Sequence, residues 1–324
     1  MREVRFLRLR PLALAALIAN IALIVTGAAV RLTGSGLGCP TWPRCTDESY
    51  TTTAAMGVHG VIEFGNRLLT WVLGLIAVAC LIAALRERPR RRPTSWLSVG
   101  VLAGIPAQGV IGGITVLTDL NPWVVGLHFL ASMALVALSY ALWRRTAEGD
   151  GPVVPLVPAP LRHLGWLLTA VSAAVIAIGV VVTGSGPHAG DEDAKRTGLD
   201  PAAVSQAHAD LVFLLIGLTV AMWFALRAVR APRTAVRAAL ALLIIELSQG
   251  LIGFVQYFTR LPVVLVGVHM LGAALVWTGT LAVLWSLRVR PADVARPLGH
   301  QEDPAGPATP APAGSLAPAT PRVP

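Results

Sequence analysis

The chain has 324 residues, 55% of them apolar, with a formal net charge of +9 and a mean hydropathy of +0.67. A chain this apolar is excluded from the soluble class, and several of its runs approach the roughly 20 residues a helix needs to cross hydrocarbon. The positive charge falls in short blocks between those runs, as in "MREVRFLRLR" and "RERPRRRP", which marks membrane loop ends and not the extended basic, aromatic-interleaved face that binds nucleic acid.

In chain order, the first apolar run covers 11–30. Its basic start resembles a signal peptide, but it lacks a clean cleavage site, so a retained first helix is expected. The loop that follows reads "GLGCPTWPRCTDES", with Cys39 and Cys45 six positions apart. In a loop bent by Pro and Gly that spacing allows a disulfide, either a structural staple or a reversible thiol pair. The lack of a second ligand pair nearby in sequence argues against zinc.

The second run, 56–84, opens on "HGVIEFGNR". His59, Glu63 and Asn66 are spaced i, i+4, i+7 and share one helix face, while Arg67 stands one turn from Glu63. Glu63 reads as a proton acceptor or as the structural partner of Arg67. Cys80, inside this run, reads as a small buried apolar residue.

The remaining runs are 95–117, 122–143, 163–183, 202–226, 235–257 and 262–286, which makes eight. Asn121-Pro122 and Asp200-Pro201 read as an N-cap with proline in the first turn, and Pro262 opens the last run. Gln108 and Gln249 are expected to bond between helices. Glu246 and Asp210 have no partner assignable from sequence. His163, His188 and His300 are expected to be solvated. The tail after about Arg296 is Pro/Ala-rich and is expected to be disordered. Nineteen Lys and Arg lie on the side of the N-terminus and five on the other, so both termini are expected in the cytoplasm of a multi-pass plasma-membrane protein.

Two long segments repeat. "QGVIGGITVLTDLNPWVVGLHFLA" at 108–131 and "QGLIGFVQYFTRLPVVLVGVHMLG" at 249–272 both begin Gln-Gly and place a histidine twenty positions later. An earlier pair is "TGAAVRLTGSG" at 26–36 and "VTGSGPHAG" at 182–190. The expected architecture is all-α: two tandem four-helix bundles related by a pseudo-two-fold axis along the membrane normal. The corresponding divisions are 1–150, 151–296 and the tail 297–324. His128, His208 and His269 each fall six or seven residues past a helix-opening proline, roughly 10 Å below the helix end. Hydrogen bonding between helices is the plain reading of one such histidine. A set repeated at one depth points to axial ligation of heme iron, one porphyrin in each half. Arg31 and Arg260, at the far helix ends, are then candidate partners for heme propionates.

With "TGAAVRLTGSGLGCPTWPRC", "IEFGNR" and the duplicated Gln-Gly…His segments in view, the chain resembles the heme A synthase family in its actinobacterial form, over nearly all of residues 10–290. The resemblance implies an oxidoreductase of heme A biosynthesis and cytochrome oxidase assembly, oxidising the C8 methyl of heme O to the formyl of heme A by successive hydroxylations. It implies a substrate heme (heme O, product heme A) in the N-terminal half and a heme b in the C-terminal half. His208 and His269 would ligate heme b, and His128 the catalytic heme. Glu63 would be the glutamate beside that heme, and Cys39 with Cys45 the outer-loop disulfide. Many members read Glu-x-x-His-Arg where this chain reads "EFGNR", so Asn66 stands in a ligand's place beside Arg67. The N-terminal half is then left with three readings: His59 as second ligand, His128 alone with an open face, or Glu63 at that face. Expected partners are heme O, the bilayer, a heme O synthase, oxidase assembly factors and further copies of the chain. The competing functions are a di-heme b electron carrier and a repeat-built transporter, the latter disfavoured because the histidines sit near one face.

Overall fold

The computed structural model describes residues 8–291. Eight long helices follow in order: α1 (Leu9–Leu32), α2 (Gly57–Arg86), α3 (Arg92–Leu117), α4 (Pro122–Arg145), α5 (Ala159–Ser185), α6 (Pro201–Ala228), α7 (Arg233–Phe258) and α8 (Val263–Ser286). All eight are long and apolar enough to cross a membrane. They lie where hydropathy placed the runs, extended by a turn at most. The N-terminal seven residues and the Pro/Ala-rich tail, with His300, lie outside the described residues.

The helices are apolar on every side, as membrane spans are. Trp71, Leu75, Phe258 and Val264 point outward and are each more than 70% exposed, an arrangement that lipid covers and water would penalise. The expected caps are present: Asn121 Oδ1 accepts from Trp123 N, and the Asp200 carboxylate accepts from Ala202 N and Ala203 N.

Each half closes on itself. α1 to α4 pack as a ring, each against the next and α4 back against α1, and α5 to α8 do the same. Between halves, α1 packs on α8, α4 on α5, and α4 on α8. That seam buries Leu17, Ile24, Met133, Val136, Ile176 and Ala274, and Trp277 Nε1 donates across it to the Met133 carbonyl.

The sequence repeat extends to backbone geometry. α3–α4 and α7–α8 are joined by the same turn, with left-handed residues at Asp119-Leu120 and again at Arg260-Leu261. Leu120 N donates to Thr115 O and Leu261 N to Gln256 O, closing both turns alike.

On the face of the membrane holding residue 8 (the near face), ion pairs fasten the linker between halves. Glu148 meets Arg145 and Arg288 and accepts from Trp285 Nε1, while Asp150 meets Arg91 and Arg145. A short ribbon pairs β1 (Val154–Pro155) with β2 (Arg288–Val289) beside it. Hydrogen bonding from Arg91, helped by the charges of Arg91 and Arg145, holds the Asp150 carboxyl below its usual range. A carboxyl depressed in the folded state stabilises it above the ordinary value and loses that contribution as pH falls through the lower one. Acid below about pH 4 is therefore expected to loosen this linker. Asp150→Asn should flatten the fall in melting temperature between about pH 5 and 3; an identical fall in the variant would rule the linkage out.

Candidate functional site

The histidines at matching sequence positions have matching surroundings. His128 on α4 rests against Gly112 of α3, where a Cβ would come 3.1 Å from its Cε1. His208 on α6 rests in the same way on Gly179 of α5, at 3.0 Å, and His269 on α8 on Gly253 of α7, at 3.9 Å. Gly112 and Gly253 are themselves repeat counterparts.

In all three rings Nδ1 is sealed from solvent and has no hydrogen-bond partner among the described residues. With Nδ1 sealed, Nε2 is the nitrogen that each ring can offer to a ligand. Beside the first and third histidines, Gly109 and its counterpart Gly250 have no heavy atom within 4 Å of where a Cβ would stand, among the described residues. Imidazoles packed on glycines beside open space suit a flat macrocycle with an axial nitrogen ligand. The residues present thus fit a heme.

Gln108 Nε2 donates to the His128 carbonyl and to Ser132 Oγ on α4, the interhelical role expected of it. Gln249 packs its amide directly on Gly272 of α8. Glu246, with no partner readable from sequence, accepts from Thr219 on α6, and Asp210 accepts from Gln206 one turn away.

The far end of α2 differs from its counterpart in the second half. α2 begins at Gly57, so His59 stands in its first turn. It is exposed, with Nδ1 2.9 Å from Ser35 Oγ. His59 borders a cavity of 590 Å³ whose other wall is Asp191, Glu192 and Asp193 from the α5–α6 loop. Counted from the helix start, Glu63 and not His59 shares the depth of the other three histidines. Thr26 of α1 donates to Asn66 Oδ1 at 2.7 Å.

Glu63 and Arg67 both turn upward into the disulfide loop. Glu63 is 6% exposed. One of its oxygens accepts from Cys39 N and the other from Arg67, both at 2.6 Å. Arg67 also donates to the carbonyls of Cys39, Thr41 and Arg44. Cys39 and Cys45 are bonded, with Cα atoms 4.4 Å apart. Cys80 is buried and unbonded, as expected.

His163 is exposed, but the expectation of a solvated His188 fails. His188 is partly buried, with Nε2 3.0 Å from the Leu261 carbonyl, while its own carbonyl accepts from Arg31 Nε. Arg31 also donates to Thr183 O. It therefore spends two nitrogens joining the halves at the far face, where Arg260 stays exposed. These contacts span more than 150 positions of sequence, so no local pattern announces them.

A family model described as cytochrome oxidase assembly protein matches residues 10–190. That range includes Cys39, Cys45, Glu63, Asn66, Arg67 and His128, and stops short of His208 and His269. Among curated proteins, the heme A synthase of Symbiobacterium thermophilum is 30% identical over 184 residues, covering 54% of this chain and 58% of the relative. The heme A synthase of Halalkalibacterium halodurans is 28% identical over 152 residues, 47% of this chain and 50% of the relative. That of Geobacillus kaustophilus is 33% identical over 134 residues, 40% of each. The chain spans about half the length of the curated relatives it matches.

Proposed function

The chain belongs to the cytochrome oxidase assembly protein family, and on that premise we propose that it is a heme A synthase, converting the C8 methyl of heme O to the formyl of heme A. The observation that carries the reading is the recurrence of one histidine environment, a ring on a neighbouring helix's glycine with Nδ1 sealed, in both halves of the chain. His208 and His269 hold heme b in the second half. His128 holds the substrate heme in the first. The way each half's first helix meets the other's fourth supports the two-fold axis along the membrane normal. The near-face excess of Lys and Arg supports cytoplasmic termini.

Heme iron, when bound, supplies the oxidising chemistry. The chain's own residues bind, orient and exclude water. In the first half, His128 would hold the heme. His59 is exposed in the first turn of α2, and Thr26 occupies the Asn66 oxygen. Glu63 lies at the ligand depth with each oxygen accepting one hydrogen bond, from Cys39 N and from Arg67, which anchors the carboxylate and leaves a lone pair on each oxygen for a proton. His59 stands at the rim. The contrary reading, His59 as second ligand, has one observation in its favour: the Ser35 contact orients the ring and leaves Nε2 free.

The test is co-expression with a heme O source, followed by extraction of the bound pigments. Heme A in the extract is the expected result; bound heme without conversion would make the protein a di-heme electron carrier instead. In the same assay His128→Ala should abolish conversion, while His59→Ala should leave the absorption spectrum unchanged. A spectral shift in His59→Ala would restore that residue as a ligand.

A further inference from the structure

Resting on the reading of the first half as the substrate site, we infer that Trp42 is a positioning residue of that site. Its indole closes the far end between α2 and α3 and governs how readily the substrate porphyrin enters and leaves.

Four observations converge on this residue. First, the Trp42 ring lies directly on Gly113 of α3, so closely that a Cβ at Gly113 would fall among the ring atoms. Gly112, the next residue on the same helix, supports the His128 ring. The indole and the candidate iron ligand thus rest on adjacent residues. Second, Gly109 lies one turn deeper than Gly113 on the same face of α3. It has open space where a Cβ would stand, among the described residues. The indole therefore stands one turn above a glycine with room beside it.

Third, Trp42 is held from both sides. The Cys39–Cys45 bond brackets it, and Arg67 grips the carbonyls of Cys39, Thr41 and Arg44 before and after it. Glu63 holds the Cys39 amide. The polar residues at the far end of α2 thereby fix the height of one aromatic ring over α3. Fourth, the second half lacks the device. The counterpart of Gly113 is Phe254, whose side chain points outward and is 56% exposed, while Gly250 repeats the open space of Gly109. A half that keeps its heme needs no door. A half that must admit heme O and release heme A does, and an indole plane packs well along a porphyrin edge.

Heme release to excess apomyoglobin, followed spectroscopically on the purified heme-loaded protein, tests this. Trp42→Ala is expected to speed release of one heme about tenfold, the size of one lost aromatic contact, and to leave the other unchanged. Trp42→Phe should restore most of the slow release. Gly113→Val keeps the indole but displaces it, and should speed release as Trp42→Ala does. Retention of the second heme and an intact Cys39–Cys45 bond certify that each variant is folded. Should Trp42→Ala fail to fold, Gly113→Val and Trp42→Phe carry the test. Release at the wild-type rate in the alanine and valine variants, in a protein that still converts heme O, would overturn the role of Trp42 alone. A wild-type chain that binds no heme overturns both this role and the reading beneath it.

Discussion

Replacing His208 or His269 by alanine is expected to strip one heme from the protein and leave the other. Both rings sit on glycines of adjacent helices, at the same distance past a helix-opening residue. Mutating mere supporting partners of a metal ligand commonly costs 10–100-fold in metal affinity, so losing the ligand itself should weaken retention by at least about 100-fold. The heme-to-protein ratio of the purified variant would fall by half, and the remaining spectrum would be that of the His128 site. Gly179→Leu offers a second route, because a side chain there would push the His208 ring from its place. Full heme content with an unaltered spectrum in both alanine variants would remove these residues from the binding site.

Arg67→Leu is expected to produce the largest loss of stability. It withdraws every hydrogen bond that Arg67 makes to the disulfide loop and leaves Glu63, whose side chain is 8% exposed, without its counter-charge. Breaking a buried ion pair from one side costs about 3–5 kcal/mol. Arg67→Lys should recover only part, since an ammonium lacks the planar fork that reaches several carbonyls at once. Thermal unfolding would report the loss, and a membrane-impermeant reductant should open Cys39–Cys45 faster in the variant. A wild-type melting temperature together with a protected disulfide would show the clasp to be idle. Glu63→Gln separates two roles for the carboxylate. Lost heme O conversion with an intact loop would mark a proton-handling group, and a loosened loop would mark a structural one.

The two groups of residues were not equally legible. His128, His208 and His269 could be read from the chain because each is fixed by its own helix and by a proline six or seven positions earlier. Asn66 could be flagged because the repeat supplied the register for comparison. Trp42 could not. Nothing in "CPTWPRC" says that its tryptophan crosses to α3, and the only hint is that Gly113 faces a phenylalanine counterpart in the second half. The direction of Glu63 was equally hidden: helix spacing pairs it with Arg67, but not with an amide 24 positions upstream.

By itself the sequence determined eight membrane spans, their caps, the duplication and the depth of the histidines. Those properties follow from apolar length, periodicity and charge placement, which act within one helix or one turn. Only the tertiary structure decided that α2 sends its polar residues up into the disulfide loop. It alone also showed that Arg31 and His188 join the halves at the far face and that glycines on neighbouring helices seat the histidine rings. Such contacts depend on which helices become neighbours and at what height. That is settled by packing across the whole bundle, between residues the chain keeps far apart.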